Sequence, residues 1–105
     1  MLSCITLAAD VEGREVTTIE GLVGARGPDV VQDCFDAAGA LQCGFCQPGM
    51  MMAARQLVTE SPDATRDEIR SALASNLCRC TGYTKIYQAV EAACHRERER
   101  RAQHE

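Results

Sequence analysis

Gln42-Cys43-Gly44-Phe45-Cys46-Gln47-Pro48-Gly49 and its distant counterpart Asn76-Leu77-Cys78-Arg79-Cys80-Thr81-Gly82-Tyr83 decide how this chain folds. The first stretch carries two cysteines with two residues between them, the second two cysteines with one between. Thirty-one residues separate Cys46 from Cys78, enough for a helical hairpin that turns back and brings the pairs together. Four thiols converging on one point imply a metal centre. The rest of the chain reads as its scaffold, or as a link to a larger assembly.

Working outward, the 105 residues suit one small domain. Hydrophobic residues make up 46% of the sequence, yet aromatics only 4% and Trp is absent. The core must therefore be aliphatic and rich in Ala and Met, and such a small core needs a staple. Seven cysteines are an odd number for a disulfide framework, and Met1 to Ala9 lacks the basic lead-in and apolar length of a secretory segment. Thiolates held as metal ligands in a reducing, cytoplasmic compartment are the better reading. No stretch is long enough to span a bilayer. The net charge of −4 argues against nucleic acid as the main partner.

Residues 1–24 differ in character from the remainder of the chain. Cys4-Ile5-Thr6-Leu7 and Glu15-Val16-Thr17-Thr18-Ile19 are β-like runs around the turn-prone Asp10-Val11-Glu12-Gly13. Two short strands alone bury too little to be stable, so this segment reads as a β remnant, followed by a glycine-rich linker over 21–27. From Pro28 the period becomes helical, with Pro28 at a first helical position and Asp29 at the positive end of the dipole. Val31, Cys34, Phe35, Ala38 and Leu41 form one apolar stripe. Pro48 opens a second helix with Met51, Ala54, Leu57 and Val58 inward, ended by Ser61-Pro62-Asp63. Thr65-Arg66-Asp67-Glu68 has the spacing of a capping box, and Ile69, Leu73 and Leu77 follow on one face. Thr81 or Gly82 starts a fourth helix with Ile86, Tyr87, Val90 and Ala93 or Cys94 inward. A unit of helix, cysteine pair and helix thus occurs twice within 25–95. Residues 96–105 form a charged tail, a solvated extension or frayed end.

Both cysteine pairs precede a helix, so free N–H groups and positive dipole ends face the thiols. Four thiolates, two sulfides and two ferric ions sum to about −2, a charge that backbone donors stabilise. Gly44 and Gly82 would let amides approach sulfur closely. Zinc is the main rival, because four cysteines also make a tetrahedral structural site. Spacing puts iron–sulfur ahead, since Cys-x-Cys is a tighter bite than most zinc sites use. A pair of disulfides ranks lower on compartment grounds.

The two quoted stretches closely resemble the signatures of the iron–sulfur subunit of molybdenum hydroxylases, the xanthine oxidase and aerobic carbon monoxide dehydrogenase group. The resemblance extends from about Glu15 through Val90. It implies an all-α fold, a four-helix bundle with approximate two-fold symmetry, binding one 2Fe–2S cluster through Cys43, Cys46, Cys78 and Cys80. It further implies electron transfer from a molybdenum–pterin cofactor on a large partner subunit, onward to FAD on a medium subunit. Gln42 and Cys80 match positions close to the pterin. The chain would be an electron-transfer component without a substrate site. The alternative is a structural zinc or interaction module.

The sequence also departs from that family, whose members begin with a plant-type ferredoxin domain carrying a second cluster. Ser3-Cys4-Ile5-Thr6-Leu7 resembles the strand bearing that domain's last cysteine, while its three other ligands are not in this sequence. The expectation is a truncated domain, or one completed by another polypeptide, with Cys4 an orphan and a single cluster per chain. Cys34 and Cys94 fall at core positions and read as small hydrophobes. Met50, Met51 and Met52 read as gap-filling core rather than as a copper site. Phe45 is expected to shield the cluster, and Tyr83 and Tyr87 to pack on the bundle with their hydroxyls at an edge. Arg79 reads as a donor to the cluster or a partner, or as a solvent-facing residue. His95 and His104 read as solvated.

Overall fold

A computed structural model describes residues 3–104. Four helices, α1 (Val30–Ala37), α2 (Gln47–Glu60), α3 (Arg66–Leu73) and α4 (Thr84–Ala102), follow an irregular N-terminal segment. They repeat a pattern of short helix, cysteine loop and long helix, α1 packing chiefly on α4 and α2 against α3. No helix among the described residues is long and apolar enough to cross a membrane.

Each short helix opens with the same device. The Asp29 carboxylate accepts from Val31 N–H at 3.0 Å, while Gln32 Oε1 accepts from Asp29 N–H at 2.8 Å. In α3, Thr65 and Glu68 exchange the equivalent pair of bonds. These reciprocal caps satisfy donors that a helix start leaves orphaned. Asp29 is thus the cap residue, and Pro28 lies just outside the helix rather than at its first position. At the other end of α1, Gly39 at φ +60° takes the left-handed conformation. Ala40 N–H reaches back to Phe35 C=O and Gly39 N–H to Asp36 C=O, the bond pattern of a Schellman stop. The chain leaves this stop pointed into the first cysteine loop.

The core is one cluster: Val31, Cys34 and Phe35 of α1; Met50, Met51, Ala54 and Val58 of α2; Ile69 and Leu73 of α3; Ile86, Ala89, Val90, Ala93 and Cys94 of α4. Of the other residues expected inward, Ala38, Leu57 and Tyr87 are half-buried against it, and two are not packed on it. Leu41 and Leu77 are exposed, because α1 and α3 end before reaching them and the chain has already turned.

The N-terminal β remnant is corrected. Among the described residues there are no strands; Ser3–Ile5, Ala8–Val11 and Ile19–Leu22 are single 3-10 turns, and 15–18 have no ladder partner. A lone Gly24–Gly27 bridge closes a tight turn. Extended runs become strands only when a neighbour supplies the other half of each hydrogen bond.

The charged C-terminal segment is part of α4 up to Ala102. Glu97 is only 3% exposed and receives Arg100 at 2.7 Å and Arg101 at 3.0 Å. Those contacts hold its carboxyl down at about 2, the Arg100 hydrogen bond being the largest cause, against the opposing effect of burial. Arg101 also donates to Thr59 C=O at 2.7 Å and Arg98 to Pro62 C=O at 3.3 Å. The tail therefore caps the carbonyl end of α2, where positive charge is favoured.

Candidate metal centre

The Cys43–Cys46 loop enters α2 directly: Cys46 is its cap residue, accepting Met50 N–H at 3.0 Å, and Pro48 sits within the first turn. The Cys78–Cys80 loop ends in two consecutive left-handed residues, Gly82 at φ +64° and Tyr83 at φ +67°, before α4 begins at Thr84. Gly44, at φ +83°, turns the first loop in the same way. A Cβ on Gly82 would meet nothing within 4 Å, and one on Gly44 only the Leu41 side chain at 3.4 Å. Both glycines supply a left-handed turn in their cysteine loop, and the amide after Gly44, Phe45 N–H, acts on the Cys43 sulfur.

Two contacts lock the loops together. Gln42 Nε2 donates to Cys80 C=O at 3.1 Å. Gly49, one turn into α2, faces the Asn76 side chain so closely that a Cβ there would collide with its Oδ1.

The four thiols meet as two couples, each with one member from each loop. Cys43 and Cys80 sulfurs lie 3.5 Å apart, and Cys46 and Cys78 are near enough for each thiol to shift the other. No three His, Cys, Asp or Glu side chains among the described residues close round a single point; the thiols gather two and two. The chemistry of that donor set suits a 2Fe–2S centre, in which each of two irons takes two thiolates. Cys43 and Cys80 are exposed, whereas Cys46 and Cys78 are half-buried.

The surroundings treat the sulfurs differently. Phe45 N–H lowers the Cys43 thiol and the Cys80 hydrogen bond adds to this, while Cys80, sharing that proton, is pushed up. Burial, then the Cys78 thiol, raises Cys46. Cys78 falls to about 7, first through the Thr81 hydroxyl at 2.9 Å and then through Thr81 N–H at 3.4 Å. Neither Thr81 nor the hydrogen bond from Cys78 N–H to Tyr83 Oη (2.8 Å) was singled out from sequence. The available signal was a hydroxyl three residues after a cysteine, the spacing at which Ser and Thr bond locally.

Phe45 is 93% exposed and so leaves one side of the thiols open, with Leu77 (84%) and Leu41 (50%) on the same loops. It does not shield the sulfurs within this chain. Tyr83 stacks on Tyr87 with centroids 5.9 Å apart, and Arg66 covers the far ring at 5.8 Å while pairing with Glu91 at 2.9 Å. Cys34 and Cys94 are buried, and burial raises both thiols. Cys4 is exposed in the first 3-10 turn, Arg79 is exposed between two cysteines, and His95 pairs with Glu99 at the surface.

Residues 18–91 match the family model described as a 2Fe-2S binding domain. The nicotinate dehydrogenase small FeS subunit of Eubacterium barkeri is 45% identical over 94 residues, 90% of this chain and 60% of that one. The nicotine 6-hydroxylase small subunit of Paenarthrobacter nicotinovorans is 48% identical over 89 residues, 84% of this chain and 53% of that one. The crystal structure of quinoline 2-oxidoreductase from Pseudomonas putida 86 superposes with a TM-score of 0.85 at 44% identity, covering 94% of this chain and 62% of that one. The chain thus spans between 53% and 62% of the length of these relatives.

Proposed function

The chain belongs to the 2Fe-2S binding domain family, and we propose that it is an electron-transfer component of a molybdenum-dependent hydroxylase or dehydrogenase. Cys43, Cys46, Cys78 and Cys80 would hold one 2Fe–2S cluster, each iron taking one close couple. When bound, that group supplies storage of one electron at a time. The single observation that carries this reading is the meeting of thiols across the two loops, with Cys43 and Cys80 sulfurs 3.5 Å apart and Cys46 and Cys78 acting on each other beside them.

The chain's own residues supply the environment. N–H groups of Phe45 and Thr81 and the Thr81 hydroxyl point at ligand sulfurs and favour their thiolate forms. Leu41, Phe45 and Leu77 make an apolar rim round the exposed couple, suited to burial against a partner that excludes water. On this reading the partner is a large subunit carrying the molybdenum–pterin cofactor, with Gln42 and Cys80 facing the pterin. Electrons then pass on through a ferredoxin-like segment to FAD on a further subunit. The setting is the reducing cytoplasm, where thiolates stay free to bind metal. A structural zinc or interaction module is not favoured, because the relatives are iron–sulfur subunits.

The test is metal and sulfide analysis of the full chain matured in iron-replete cells, with visible spectra before and after dithionite. About two irons and two sulfides per chain and a red-brown colour that bleaches are expected. Zinc in their place, or no iron, overturns the reading.

A further inference from the structure

Tyr83 is the one residue other than glycine among those described whose φ is positive. A bulky side chain in that region is strained and persists where its surroundings over-determine it. What holds it is a ring of three hydrogen bonds. Cys78 N–H donates to Tyr83 Oη at 2.8 Å, Tyr83 N–H donates to Thr81 Oγ1 at 3.2 Å, and Thr81 Oγ1 lies 2.9 Å from Cys78 Sγ. A metal-bound thiolate has no proton, so in the last bond the Thr81 hydroxyl must be the donor. Its oxygen is already an acceptor for Tyr83 N–H, which polarises the O–H towards sulfur. The left-handed turn at Gly82–Tyr83 aims both the Tyr83 N–H and its ring back at the ligand. Stacking on Tyr87, itself under Arg66, fixes that ring.

The first loop has no counterpart to this ring. Cys46 accepts a main-chain bond as a helix cap, and burial raises its thiol. The two members of the inner couple are thus held by different means.

We infer that Thr81, positioned by Tyr83, sets the electron affinity of the iron that Cys78 ligates, by donating a hydrogen bond that strengthens as sulfur gains negative charge. The inference rests on the proposed cluster. Reduction adds one negative charge to the centre, so a donor aimed at a ligand sulfur stabilises the reduced form more than the oxidised form and raises the potential. Tyr83 acts only through Thr81 and Cys78 and is a positioning residue.

Redox titration of the full chain, followed by absorbance and by the paramagnetic resonance of the reduced form, tests this. Thr81→Val should lower the reduced-to-oxidised ratio at a fixed poise about tenfold, equivalent to about 59 mV for a one-electron couple. Thr81→Ser, which restores the hydroxyl, should return most of the shift. Tyr83→Phe keeps the ring stack and should move the potential the same way by less. Two irons per chain with an unchanged Thr81→Val potential overturns the inference and leaves the cluster reading standing. Absence of iron from the unmutated chain overturns both. If Thr81→Val fails to retain iron, Tyr83→Phe decides: a lowered potential supports the inference and an unchanged one overturns it.

Discussion

The two halves of the bundle solve one problem in two ways. Each must end a short helix, present two thiols and start a long helix. The first half does so with main chain: a Schellman stop at Gly39, a left-handed Gly44, and Cys46 serving as the cap of α2. The second half uses side chains: Thr81 on sulfur, Tyr83 on the Cys78 amide, and a tyrosine pair covered by Arg66. The contrast teaches that a repeated topology does not require repeated chemistry. A thiol position is defined equally well by where the backbone stops and by what grips it after it has stopped.

The sharpest way to break this comparison is to ask whether either half holds metal alone. Cys43→Ala and Cys78→Ala each remove one member of a different couple. Each should lower retained iron about 100-fold or more, beyond what loss of a merely supporting group causes, as read by iron analysis after desalting. Full iron in either variant would mean that the couples do not act together.

Next in size is the lock between halves. Gly49→Ala places a methyl against Asn76 Oδ1, and overpacking of this kind costs about 1–3 kcal/mol. A fall in Tm of roughly 4–8 °C per kcal/mol is expected for a domain of this size. Gly49→Ala,Asn76→Ala should recover part of it, and no recovery would place the clash elsewhere.

The C-terminal clamp ranks third. Glu97→Gln leaves Arg100 and Arg101 without their shared carboxylate and should cost about 1–2 kcal/mol, discounted because both arginines are partly exposed. Its pH dependence has a definite sign. The folded-state value is depressed to about 2 from the ordinary 4.5, so the stabilisation is complete above about 4.5 and is lost as pH falls towards 2. Acid unfolding curves of the parent and of Glu97→Gln should therefore converge in that window.

Smallest is the difference between the two caps. Asp29 also pairs with Arg55 of α2 at 3.4 Å and is largely buried, whereas Thr65 is exposed. Asp29→Ala should cost about 1–2 kcal/mol and Thr65→Ala about 0.5–1, compared by chemical denaturation. Equal costs would make the Arg55 contact idle.

Much of this was legible in the sequence, and the pattern of success is physical. The four helices show as apolar periodicity, and the capping box at Thr65–Glu68 is a purely local signal. The Asp29–Gln32 box was legible in principle but obscured by Pro28, which invites a helix start two residues early. The thiol spacing pointed to a metal, and the resemblance to molybdenum hydroxylase subunits supplied the family. The couples themselves were not legible, since which thiol faces which depends on how the hairpin closes. Leu77 misled because a period of four continues on paper after the helix has ended. Glu97 could have been read: it extends the buried sequence Ile86, Val90, Ala93 and Cys94 by one more turn. A charged residue at that phase needs partners, and Arg100 and Arg101 stand at the right offsets. The N-terminal β-like runs had the composition of strands, but composition cannot supply the neighbour a strand requires.

The crossed arrangement of sulfurs has a consequence for biosynthesis. Because Cys43 meets Cys80 across a 31-residue connection between the two motifs, a nascent chain that has not yet emerged past residue 80 offers a metal donor no complete set of thiols. On the proposed cluster, loading would follow release of the second hairpin from the ribosome, and the handover of iron would wait on tertiary closure instead of on translation of the first motif.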